Sequence, residues 1–428
     1  MTEQKSNFLI LLALMLLALL ADSYIYGTGL ARPPIRSDGM GYYLYLPAIF
    51  IEGDLTLSST IAGRFRGELP VWAGILPTGT GSYLIKYGIG VALLQLPFFG
   101  LATLVAYGFD YPVNGYSAPF HWANAVSGIF YLLLGVCFCF KLGRRYFSRQ
   151  SVLAALVVLV FGTNLFHYAT FDASFSHIYS FAMISGLMLV IDSWYRSPSS
   201  YNSIMLGIFA GFILIIRQVN LFALLMIPLW GISSFNLLRT RLALLWKMRA
   251  KISLSALAAV MILSPQLLYW YLVTGKWLVY SYGGESFNFL NPRIAQVLMS
   301  EQKGLFLWFP SLLLALFLFC LKPTFIKSNR VALVLVLTIQ LYVLSCWYLW
   351  TLGGGFGYRG LVEFYPLLVP LIAGVFEIVK NVKVRACFYS ALVFALFYTN
   401  VLMLLYWHYA PRMPEAKLGI VNLFGKVF

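Results

Sequence analysis

Charge is scarce in this chain of 428 residues: Asp, Glu, Lys and Arg together make up 10% of it, and only 14 positions are acidic. A soluble domain carries about 25% charged residues, so there is too little polar side chain here to cover a water-exposed shell. Cysteine is also sparse, with Cys137, Cys139, Cys320, Cys346 and Cys387 all within or at the ends of apolar runs. Only Cys137 and Cys139 are neighbours, and no His or carboxylate stands beside them. The five are therefore expected to be small buried hydrophobes, with no disulfide framework, zinc site or other metal. Neither Gly-x-x-x-x-Gly-Lys-Ser/Thr nor a strand-turn-helix dinucleotide fingerprint is present, which disfavours a soluble nucleotide donor.

What the chain does have is apolar sequence, with 61% hydrophobic and 17% aromatic residues and a mean hydropathy of +0.82. These values predict an all-α polytopic membrane protein. A bilayer core of about 30 Å takes about 20 apolar helical residues. Candidate spans lie near 8–26, 122–140, 152–168, 177–193, 203–216, 219–234, 252–272, 307–321, 331–350, 362–378 and 386–407. The first has the charge and apolar core of a signal peptide but continues through Ala21 and Tyr24 without a small-residue cleavage site, so it is read as a retained helix.

The net charge of +16 would suggest nucleic acid in a soluble protein. Here the Lys and Arg gather in short loops at 141–150, 236–251, 321–330 and 380–385, the signature of cytoplasmic loops, and no nucleic-acid partner is expected. Loops at 27–85, 169–176, 273–306 and 351–361, and the tail after 408, are aromatic and Gly-rich and belong on the far side. For all basic loops to share one side, the apolar stretch 87–107, interrupted by Gly88, Gly90, Pro97 and Gly100, must lie in or re-enter the outer interface. The expectation is one membrane domain over 1–428 with about eleven spans and an outer loop over 27–120 carrying juxtamembrane helices.

Function is sought in that outer loop. Ser37-Asp38-Gly39 signals a turn or helix start, and Tyr42, Tyr43, Tyr45, Leu46, Ile49 and Phe50 predict a short helix lying flat in the interface with one apolar face. Glu52-Gly53-Asp54 ends it, with Gly53 suited to a left-handed cap. Asp38 fits two roles, a general base or an N-cap. Isolated charges and histidines recur at outer ends of spans: Lys86, His177, Arg217, Glu285, Arg293, Lys303 and Arg359. A charge at membrane depth costs about 2.5–3.5 kcal/mol on insertion scales and usually faces a cavity or a partner. Arg217, with apolar residues for more than a turn on either side, is the sharpest case. Cations beneath a carboxylate at a bilayer surface suit a phosphate-bearing lipid whose headgroup reacts there.

Several stretches, in this order and all on the predicted outer side, give the chain a family likeness: Ser37-Asp38-Gly39-Met40-Gly41-Tyr42-Tyr43, Ile85-Lys86-Tyr87-Gly88-Ile89-Gly90, Ser176-His177-Ile178-Tyr179, Ile216-Arg217-Gln218 and Gly353-Gly-Gly-Phe-Gly-Tyr-Arg359. The pattern resembles the GT-C superfamily of membrane glycosyltransferases, in the bacterial branch similar to dolichyl-phosphate-mannose protein mannosyltransferases and lipid A aminoarabinose transferases. The family's Lys-Pro-Pro stretch stands here without its proline pair. The resemblance implies a GT-C-like bundle, a polyprenyl-phosphate-linked sugar as donor, and inverting transfer to a glycan, lipid or protein acceptor at the outer face of a bacterial inner membrane. It implies Asp38 as the catalytic base and Lys86, Arg217 and Arg359 as donor phosphate ligands, with Tyr42, Tyr43, His177 and Glu285 near the substrate and no cofactor. The reading from another class is a transporter or lipid flippase, which also uses buried charges and broken helices.

Overall fold

A computed structural model of the protein describes residues 3–30, 33–79, 81–314, 324–379 and 382–426. Eight helices among these residues are long and apolar enough to cross a membrane, and three shorter apolar helices accompany them. The chain is an all-α polytopic membrane protein, with one small hairpin in which β1 (Ile75–Pro77) pairs antiparallel with β2 (Tyr83–Ile85). Part of the predicted 307–321 span, together with Cys320 and Lys380, lies outside the described residues. Cys139 and Cys346 are buried as expected, whereas Cys387 is exposed on the outside of the last long helix.

The helices that matter here are α1 (Glu3–Gly27), α2 (Ser37–Tyr43), α3 (Gly90–Gly108), α4 (Ala118–Gly143), α5 (Arg149–Phe161), α6 (Ser176–Arg196), α7 (Ser200–Ile216), α8 (Arg249–Thr274), α9 (Thr324–Ser345), α10 (Val369–Ile378) and α11 (Val382–Tyr409). The basic loops converge at one end of the bundle. Arg144 pairs with Glu3 at the start of α1, Arg145 with Asp192 near the end of α6, and Ser148 donates its N–H to Glu377 in the last turn of α10. Lys251 reaches Ser200 and Arg241 lies over the Tyr195 ring. Helix α4 runs parallel to α6, because Gly128 approaches Ala173, Gly135 approaches Phe181 and Cys139 meets Ser185. The start of α6, with His177, therefore sits at the end opposite the basic loops.

Two sequence expectations need correction. Pro97 and Gly100 do not interrupt the stretch they occupy, since α3 is continuous from Gly90 to Gly108, and Gly88 and Gly90 stand before and at its start. Gly88 serves close packing instead, because a Cβ there would collide with the backbone carbonyl of Ile215. The contacts of α3 with Phe120, Phe130, Tyr131 and Tyr179 all fall toward the cavity end of α4 and α6. The second correction concerns the helix after Ser37. It does not present one apolar face: Tyr42, Tyr43, Leu44, Tyr45 and Leu46 are all buried, and only Ile49 and Phe50 emerge. Gly53 closes it at φ +64°, the left-handed conformation expected of it.

Candidate functional site

At the end opposite the basic loops lies a cavity of about 1030 Å³. Asp38, Tyr42, Lys86, His177, Arg217, Glu285 and Arg359 all line it, although they come from six separate stretches of chain. Tyr43 does not. Adjacent helical residues point about 100° apart, so Tyr42 enters the cavity and stacks on Tyr87 with ring centroids 4.4 Å apart. Tyr43 turns away and donates its hydroxyl to the Gly115 carbonyl at 2.6 Å.

Asp38 is not an N-cap. Arg36 occupies the capping position of α2 with extended backbone, and no side chain caps the helix. The Asp38 carboxylate faces the cavity, accepting a hydrogen bond from Tyr87 Oη at 2.8 Å and one from Arg359 Nη2 at 2.8 Å. Enclosure alone pushes this carboxyl up, but the Arg359 guanidinium, the Tyr87 hydroxyl and the Lys86 charge outweigh it and hold Asp38 below its ordinary value. A carboxylate so held is ionised at neutral pH and is able to accept a proton.

The other cations are paired as well. Lys86 meets Glu285, and Arg217 meets Glu363. Arg217 is an extended residue where α7 ends and a 3-10 segment, Gln218–Leu225, begins, and that break turns its side chain into the cavity. Glu363 is fully buried and escaped sequence reasoning, as did Tyr87 and a further ion pair on the cavity wall, Arg36 with Asp172 at 2.9 Å. Glu363 Oε1 accepts from both Arg217 Nη1 and, at 3.0 Å, His177 Nδ1, while its Oε2 has no hydrogen-bond partner. Beside this charged floor, Leu221, Phe222, Trp270, Val343, Leu344 and Trp347 make an apolar and aromatic flank. Among the described residues no group of three or more His, Cys, Asp or Glu is arranged to hold a metal ion.

No family model, curated protein or solved structure matches the chain. The chemistry of the site therefore has to be read from its own groups.

Beneath the loop that carries Arg359 lies Lys303, only 2% exposed, with its ammonium donating to the Gly355 carbonyl. Burial and the neighbouring Arg359 charge bring its pKa down to about 7. Between about 7 and the ordinary lysine value the unfolded chain binds a proton that the folded chain has released, so this group makes stability rise with pH in that window. Lys303→Met should remove the effect. The melting temperature of the variant relative to wild type is expected to be most favourable at pH 6 and to decline toward pH 9; a pH-independent difference would show that Lys303 does not titrate in this range.

Proposed function

We propose that the protein is a membrane glycosyltransferase of GT-C type that moves a sugar from a polyprenyl-phosphate donor to an acceptor at the outer face of the membrane. The observation that carries this reading is the convergence of an ionised carboxylate, Asp38, and three cations, Lys86, Arg217 and Arg359, in one cavity with an apolar flank. An anionic headgroup with a long apolar tail matches both halves of that surface. In the same reading the basic end is cytoplasmic, and α3, whose contacts stay toward the cavity end of its neighbours, lies in the outer half of the bilayer. The span count is then about eleven in a bacterial inner membrane.

Catalysis follows from the pairings. Each cation rests on a carboxylate of the protein, which holds the charges in place. A donor phosphate competes for Arg359 and Lys86, and that competition frees the Asp38 oxygen now bonded to Arg359. Asp38 takes the proton from the acceptor hydroxyl, and the hydroxyl oxygen forms a bond to the anomeric carbon. The bond from that carbon to the phosphate oxygen breaks, and polyprenyl phosphate leaves with the extra negative charge. Lys86, Arg217 and Arg359 offset that charge, and attack opposite the leaving group inverts the anomeric centre.

The test is turnover of labelled polyprenyl-phosphate sugars by protein reconstituted in lipid. Lys86→Met is expected to raise the donor KM by about 10-fold or more, in keeping with the loss of one charge-assisted contact of about 1.5–3 kcal/mol. An unaltered donor KM would remove Lys86 from the donor site. A transporter would carry the intact labelled lipid across the bilayer and leave its sugar attached.

A further inference from the structure

The Arg36–Asp172 pair has no part in the mechanism above, yet both residues line the same cavity. They are held more firmly than a simple ion pair requires. Asp172 Oδ1 accepts from Arg36 Nη2, and Oδ2 accepts from His167 Nε2 at 2.9 Å. Trp407 Nε1 donates to His167 Nδ1 at 2.9 Å, and because an indole N–H only donates, the His167 proton must sit on Nε2, facing Asp172. The Arg36 guanidinium lies 4.6 Å over the Phe171 ring, and Phe171 in turn stacks on Trp407 with planes 6° apart. Tyr26 ties the Phe171 carbonyl to α1 with a hydrogen bond of 3.0 Å.

This wall also has a distinct position. Arg36 stands two residues before Asp38 in the chain. The charges of Arg36, Asp172 and Glu415 all reach the Tyr406 hydroxyl at the end of α11, whereas Lys86 pairs with Glu285 and lies over the Tyr282 ring, and Arg217 pairs with Glu363. Gly353 links the two groups, because it lies between Glu415 and Arg359. The Asp38–Arg359 pair thus stands between a set of groups used for the donor and a second set with no assigned use.

The geometry points to the Arg36, Asp172 and Glu415 wall as the acceptor subsite, shaped for the hydroxyl-rich end of a glycan. This rests on the glycosyltransferase reading and narrows its acceptor class. Vicinal hydroxyls both donate and accept, and the wall offers guanidinium N–H groups beside carboxylate oxygens. The Asp172 charge is already paired with Arg36 and its second oxygen accepts the N–H of a neutral His167, so Asp172 offers an amine acceptor no uncompensated carboxylate.

The experiment uses the full chain in lipid nanodiscs and measures binding before turnover. Saturation-transfer NMR with methyl hexopyranosides, a Ser/Thr-containing peptide and ethanolamine as probes reads the subsite without any donor present. The glycosides are expected to bind wild type, with the dissociation constant raised about 10-fold or more in Arg36→Lys and in Glu415→Gln; the latter is at an exposed position, where folding is not at stake. In turnover the same variants should raise the acceptor KM about 10-fold, with kcat changing less than about threefold. Equal glycoside binding by wild type and both variants, or binding of only the peptide or the amine, would overturn the proposal. Failure of wild type to cleave any donor would instead overturn the glycosyltransferase reading, so the two failures are distinguishable.

Discussion

Asp38→Asn is expected to lower sugar transfer by about 10²–10⁴-fold, the range that a positioned general base supplies. Asparagine keeps the size of the side chain, and its one amide oxygen can still accept from Tyr87 or from Arg359, which bond to different oxygens of Asp38, but it cannot take the acceptor proton. The bundle should be unaffected, because the Asp38 side chain keeps a quarter of its surface open to the cavity and caps no helix. A size-exclusion profile and a melting temperature close to wild type, alongside lost turnover, would separate chemistry from folding. Transfer within about threefold of wild type would remove Asp38 from the reaction.

Glu363→Ala is expected to have the largest effect on stability. The Glu363 carboxylate is fully buried and serves Arg217 and His177 together. Removing it leaves Arg217 with a mostly buried guanidinium and no counter-charge, a class of change that costs about 3–5 kcal/mol. Glu363→Gln retains an oxygen for His177 and should lose less, and the order wild type, Gln, Ala should appear in thermal melts in detergent. If the alanine variant melts with wild type, the Arg217–Glu363 pair contributes nothing to the fold. Arg217→Met with Glu363→Gln, which removes both charges, is expected to recover much of the loss, since replacing a buried pair by apolar groups is often neutral or stabilising.

The sequence is legible where a single physical rule acts alone. Scarce charge and long apolar runs gave the membrane class, and charges with no sorting role, such as Arg217 and Arg359, turned out to share a cavity. What stayed hidden depended on contacts between distant segments. Glu363 sits inside a predicted apolar span, and the rule that singled out Arg217, a lone charge in an apolar run, applies to it equally. Asp22, buried in α1 with neither carboxylate oxygen hydrogen-bonded, is a second carboxylate of that kind. Asp172 was less accessible: its partner Arg36 lies 136 residues before it, and Trp407, which orients its other partner His167, lies 240 residues beyond that histidine. Tyr43 shows the opposite failure, because its neighbour Tyr42 faces the cavity and one step along a helix reverses the outcome. Glycine and proline in α3 read as breakers, yet a helix whose start packs closely against the end of α7 needs glycine at Gly90 and tolerates Pro97.

The most direct test of the account is the fate of a labelled polyprenyl-phosphate sugar given to wild-type protein in sealed proteoliposomes, with the sugar and the lipid phosphate carrying different labels. The account predicts that the two labels separate, with polyprenyl phosphate released in step with sugar appearing on an acceptor, and that they stay together in Asp38→Asn. Both labels crossing the bilayer on one intact molecule, at equal rates in wild type and in Asp38→Asn, would contradict it.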